Sequence, residues 1–125
     1  MPDSGFGTWN GVDSYEFVDG VRIHAIGGDQ VLLCRVVYEP GKQVPRHAHE
    51  HTEQLMAVVE GSVTMTIGDE TRELGPGETW TIPSNVPHEV TAGPEGAVVI
   101  DVFAPVRDSQ SAATETLQKV CGMKR

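Results

Sequence analysis

Hydrophobic and polar positions alternate along most of the chain in short runs, each closed by glycine, proline or an Asp-Gly or Gly-Asp pair. A period of two marks a strand with one buried face, and two such runs around Asp-Gly mark a hairpin. Tyr15 to Val18 and Val21 to Ile26 form such a pair around Asp19-Gly20. After the turn Gly27-Gly28-Asp29, Gln30 to Glu39 carries an apolar run broken only by Arg35. Its β-branched residues fall on both parities, which predicts a strand buried on both faces. Gln54 to Glu60 alternates Gln54, Met56 and Val58 against Leu55, Ala57 and Val59, and Gly61 reads as a turn into Ser62 to Ile67. Gly68-Asp69 then leads to Glu70 to Leu74, Gly75-Pro76-Gly77 to Glu78 to Ile82, and a proline-rich stretch to His88 to Ala92. Gly93-Pro94-Glu95-Gly96 reads as a last turn before the apolar run Ala97 to Ala104. About ten short strands at regular spacing predict an all-β barrel or sandwich.

A chain of 125 residues is expected to form one domain. Residues 1–14 read as a loose arm anchored by Phe6 and Trp9, residues 15–107 as the barrel, and residues 108–125 as a tail with a short helix around Ala112 to Val120. No run of about 18 apolar residues is present, so no membrane span is expected. Met1 to Asn10 lacks the basic start and apolar stretch of a secretory signal, and the cytoplasm is the expected location. Cys34, inside an apolar run, reads as a small core residue and Cys121 as a thiol in a polar tail, with no disulfide between them. Nine basic against eighteen acidic residues give a net charge of −9, which disfavours nucleic acid and anionic membranes as partners.

The candidate chemistry is concentrated in His47-Ala48-His49-Glu50-His51-Thr52-Glu53-Gln54. In a strand His47 and His49 project to one side, roughly 7 Å apart, and can converge on one metal ion if further ligands arrive. A carboxylate or amide oxygen and a histidine from a distant strand would complete the set. Asp101 is a lone acid among Val98, Val99, Ile100, Val102 and Phe103, a costly position unless it faces a pocket or a partner. It either pairs with Arg107 or serves chemistry, Asp101 moving protons and Arg107 holding a carboxylate by two parallel hydrogen bonds. Phe103 shares its parity. Met56 and Trp80 are barrel-lining candidates, and Trp80 offers a flat face for a cyclic ligand.

These residues resemble the cupin superfamily. Its first motif, a glycine, five residues, His-x-His, three or four residues, an acid, six residues and glycine, is matched by Gly41, His47, His49 and Gly61, with Gln54 where the family usually has glutamate. Its second motif is matched by Gly77, Pro83 and His88, with Asn85 replacing a glycine and Ala92 an asparagine. Asparagine is the best substitute for glycine in a left-handed turn. The resemblance implies a double-stranded β-helix, or jelly-roll barrel, and a metal site of His47, His49, Gln54 and His88. Glu53 is the competing ligand, but it would leave seven residues before Gly61. His51 is expected at the rim, and His24 as an ordinary strand histidine.

With glutamine as a ligand the chain is similar to the pectin-degradation cupins that convert unsaturated uronates to open-chain keto forms, and to the zinc-dependent polyketide cyclases. One divalent ion per subunit is implied: zinc, nickel, iron or manganese, zinc or nickel favoured. A glutamine leaves more positive charge on the site than a glutamate, hence a stronger Lewis acid. The leading expectation is a non-redox lyase, isomerase or cyclase acting on a small, oxygenated, carboxylate-bearing ring, with Asp101 and Arg107 catalytic and Phe103, Trp80 and Met56 beside the substrate. The alternatives are aldol-type polyketide cyclisation, a metal-dependent dioxygenase, or a small-molecule-binding module without catalysis. A homodimer is expected, because cupins of this size pair their outer strands and pairing covers exposed edges.

Overall fold

A computed structural model describes residues 5–106 of the chain. The 108–125 tail, its expected helix, Cys121 and Arg107 lie outside the described residues. Among the described residues the only regular element before the strands is a short 3-10 turn, Trp9–Gly11, closed by the Thr8 hydroxyl accepting from Gly11 N–H. Phe6 stands fully exposed and does not anchor the arm as expected; Trp9 is half-buried.

Eight antiparallel strands follow among the described residues: β1 (Ser14–Val18), β2 (Val21–Gly27), β3 (Leu32–Tyr38), β4 (Gln43–His47), β5 (Glu53–Ile67), β6 (Glu70–Leu74), β7 (Thr79–Ile82) and β8 (His88–Ala104). The organising pair is β5 with β8, in register from Glu53↔Ala104 to Ile67↔His88. The first arm of this ribbon, Glu53 to Gly61 with Ala97 to Ala104, is flanked by β7 on one side and by β3, β2 and β1 on the other. The second arm, Val63 to Ile67 with His88 to Ala92, is flanked by β6 and β4. Two sheets therefore share one ribbon, and the apolar core lies between them. Val99 and Val63, one from each arm, are completely buried. Each such side chain contributes about 1.5–3 kcal/mol.

The ribbon accounts for the main departure from expectation. Gly61 and Gly93 to Gly96 do not end strands; both strands run on through a bend marked by register shifts at Val58/Glu60 and Gly61/Val63. Gly61 has φ +75°, and a Cβ there would meet the Gly96 carbonyl oxygen at 2.1 Å. Only glycine fits where two backbones come that close. Left-handed glycines serve bulges as well as hairpins, so sequence pattern alone does not separate the two.

β3 also differs from expectation. Leu32, Cys34, Val36 and Tyr38 are buried, whereas Leu33, Arg35 and Val37 are half-exposed on the outer face. On β5 the expected parity holds: Gln54, Met56 and Val58 point inward, and Glu53 and Leu55 outward. Asp19-Gly20 forms the expected tight turn, with Gly20 at φ +76°.

Candidate metal centre

His47 closes β4, and the chain then leaves the strand, so His49 sits in the following loop and not in a continued strand. His51 is exposed with φ +62°, which ends the parity it shared with the other two in sequence. His49 is held in place because its carbonyl accepts from the N–H of Asn85 at 2.7 Å. Asn85 takes φ +68°, the left-handed turn for which asparagine substitutes for glycine. This turn delivers His88 at the start of β8, paired with His47 across the sheet.

The three rings converge. Centroid distances are 4.9 Å for His47–His49, 4.4 Å for His47–His88 and 4.7 Å for His49–His88. One ligand atom from each lies within 4.8 Å of the others. With neutral imidazoles, Nδ1–H of His47 donates to the Pro45 carbonyl at 2.7 Å and Nδ1–H of His88 to the Val86 carbonyl at 2.9 Å. These bonds leave Nε2 of both rings as an acceptor facing the cluster. Burial, with the neighbouring His47 and His88, lowers the pKa of His49 to about 3. Burial also lowers His88 to about 4, against the pull of its bond to Val86, and lowers His47. All three are neutral at pH 7, the form that binds metal.

Gln54, Asp101 and Phe103 come from the far tip of the ribbon, Gln54 and Phe103 being a cross-strand pair. Gln54 Nε2–H donates to Asp101 Oδ2 at 3.2 Å. That bond commits the amide nitrogen and leaves the oxygen, Oε1, buried with no hydrogen-bond partner. Nε2 of His49 and of His88 are buried and unpartnered as well. A buried acceptor without a donor costs about 1–3 kcal/mol. A divalent cation satisfies such acceptors together, so the residues present fit a metal of the imidazole- and oxygen-binding type. Glu53 points outward and is exposed, away from this cluster.

Asp101 is buried, and its Oδ1 has no partner. Burial pushes its carboxyl up to about 8, opposed by the bond from Gln54. It therefore carries a proton at neutral pH. Phe103 packs edge-on to His49 at 5.4 Å between centroids. One cavity is lined by His47, Gln54, Met56, His88, Asp101 and Phe103 along with apolar core residues. Cys34, which its apolar run predicts to be a small core residue, also lines it, directly opposite Asp101 on β3. Parity with Val36 and Tyr38 is the sequence feature that points it inward.

Trp80 does not reach this cavity. It pairs with Met56 on the side of β5 away from β8, one strand removed from Asp101, and lines a separate cleft with Met65, Leu74 and Arg72. Among the described residues no arginine or lysine lines the histidine cavity. No helix among them is long and apolar enough to cross a membrane.

Comparison with known proteins agrees with this fold. The cupin domain model matches residues 34–103, from Cys34 to Phe103. The pectin degradation protein KdgF of Dickeya dadantii is 31% identical over 93 residues, covering 74% of this chain and 84% of that protein. The structure of KdgF from Halomonas sp. superposes with a TM-score of 0.79 at 25% identity, over 86% of this chain and 98% of that one. An RmlC-like cupin from Shewanella frigidimarina shares the fold, with a TM-score of 0.77 at 22% identity over 86% and 96% of the two chains. Domain match, relative and fold concur, and the chain belongs to the cupin superfamily.

Proposed function

We propose that the chain is a metal-dependent, non-redox isomerase of unsaturated uronates, converting the 4,5-unsaturated ring form to a linear keto-uronate. The observation that carries this reading is the position of Asp101, buried in the cavity that His47 and His88 line and accepting a hydrogen bond from Gln54. The relation to a pectin degradation protein supports the substrate class. His47, His49, His88 and Gln54 would hold a divalent ion, which would supply Lewis-acid stabilisation of charge on a substrate oxygen. The reaction is an internal rearrangement: the bond between the anomeric carbon and the ring oxygen breaks, the hemiacetal hydroxyl loses its proton, and C4 of the enol gains one. No atom enters or leaves. Asp101 gives the proton to C4 and takes back the one released, which suits an acid that is protonated at neutral pH. Phe103 and Met56 wall the cavity and exclude water from Asp101. Arg107, three residues beyond the end of β8, is the proposed holder of the substrate carboxylate.

The test is the loss of the enol's ultraviolet absorbance when an unsaturated galacturonate is mixed with metal-loaded protein under anaerobic conditions. Turnover without oxygen, reduced at least about 100-fold in Asp101→Asn, supports the reading. No turnover with any divalent ion, or a strict need for oxygen, overturns it.

A further inference from the structure

Among the described residues β6 and β7 pair only with β5, so each leaves a free edge beside the ribbon. Cross-strand rows run out to those edges from the barrel interior. Asp101, Met56 and Trp80 form one row, and Val90, Met65 and Arg72 another. Met65 lines both the histidine cavity and the cleft between the two edges, as their shared wall. The cleft measures about 440 Å³, within the roughly 300–1,000 Å³ that small-molecule sites occupy. Trp80 and Leu74 supply its apolar surface, and Glu70, Arg72 and Glu78 its polar groups. Trp80 is only half-buried, yet its indole N–H is buried without the acceptor that a core-filling tryptophan usually has. Nε–H of Arg72 donates to Glu70 at 2.6 Å, and Glu78 accepts from Gly75 N–H at 2.9 Å. These bonds use only part of the guanidinium donors and the carboxylate lone pairs.

We propose that this cleft is a second small-molecule site, separate from the metal centre, and that it takes a neutral sugar ring. The C–H face of such a ring lies on the Trp80 indole and Leu74, while its hydroxyls bridge Glu78 and Arg72. A hydroxyl both donates and accepts, so it suits a carboxylate and a guanidinium placed beside one aromatic face. A small tilt of the indole toward the ligand gives its N–H the missing acceptor, a sugar oxygen. Charge selects against the alternatives. Glu70 and Glu78 against Arg72 leave the cleft net acidic on a chain of net charge −9, which repels a uronate or a phosphate. An organic cation would gain from the carboxylates but leave the guanidinium and the indole N–H without an acceptor.

The chain has two tryptophans, so Trp9→Phe in the full-length chain lets Trp80 fluorescence be read alone. That protein is titrated with D-glucose, D-galactose and D-mannose, and in parallel with D-galacturonate and choline, each to about 100 mM. At least one neutral sugar should shift the emission and saturate with a Kd of about 2 mM, the affinity that about 12 non-hydrogen atoms give at ordinary ligand efficiency. Chelating the metal should leave that Kd within about twofold, because the histidines take no part. Calorimetry with Trp9 restored should show binding lost in Trp80→Ala and weakened about 10-fold in Glu78→Gln, which removes a charged acceptor. Glu78→Gln should keep the metal content of the wild-type chain, the control for folding. No saturation by any neutral sugar overturns the proposal, and so does a response to galacturonate or choline alone. Sugar binding that both Trp80→Ala and Glu78→Gln leave unchanged also overturns it, since the ligand would then sit elsewhere.

Discussion

The two arms of the β5–β8 ribbon have opposite patterns. In the second arm Val63, Met65, Val90 and Ala92 face inward, and Ser62, Thr64, Thr66 and Thr91 face out, the usual arrangement for a half-buried sheet. The first arm inverts it near its tip, with Gln54 and Asp101 buried and Leu55, Ile100 and Val102 on the outside. Burying an amide and a carboxyl costs stability unless something satisfies them. The buried amide and carboxyl therefore fall on the face where a ligand is proposed. The bend at Gly61 and Gly96 brings these unlike arms together. Phe103 at one tip and His88 at the other are fifteen residues apart on β8, yet both pack against the His49 ring.

The largest effect should come from breaking the meeting of the tips. His88→Ala removes the ligand supplied by the second arm and should weaken divalent-metal binding more than about 100-fold by titration calorimetry. Gly61→Ala attacks the bend itself. Its Cβ would strike the Gly96 carbonyl, and denaturant unfolding should show a loss of about 2–3 kcal/mol.

Parity on the first arm sets the next prediction. Gln54→Ala should weaken metal binding about 10- to 100-fold, whereas Glu53→Ala should leave it within about twofold. Gln54→Glu should keep or tighten binding but slow turnover, because the added charge lowers Lewis acidity. The opposite ranking of Gln54→Ala and Glu53→Ala would place the ligand on the wrong face of β5.

The smallest effect concerns pH in the metal-free protein. The unfolded chain protonates its histidines below pH 6.5, while folded His49 and His88 resist down to about 3 and 4, so their contribution is lost as pH falls below 6.5. Asp101 acts in the other direction. Folded, it keeps its proton up to about 8, whereas the unfolded chain releases it near 3.8, so stability is lost as pH rises through that interval. Stability should peak near pH 6.5 in thermal melts, and Asp101→Asn should flatten the decline between 6.5 and 8.

Much of this was legible in the sequence. The His-x-His pair, distant His88 and the spacing from Gln54 to Gly61 carry the resemblance; that register places Gln54 inside, and strand parity then places Glu53 outside. The lone acid in an apolar strand flagged Asp101. What escaped was three-dimensional. A left-handed glycine at a bulge looks like one at a hairpin, so the pattern predicts four short strands where the ribbon has two long ones. β3 looked buried on both faces because Leu33 and Val37 are apolar, although they lie on the outer face. Trp80 has the chemistry of a ligand platform, but the pairing of β7 with the far edge of β5 turns it into another cleft.

The central claim is that the polar interior of the first arm and the histidines of the second build one metal site. Elemental analysis of protein purified without a histidine tag tests it most directly. About one divalent ion per chain is the expected result, falling to a small fraction in His88→Ala. A content near zero in the wild-type chain, with no binding of zinc, nickel, iron or manganese added afterwards, would contradict it.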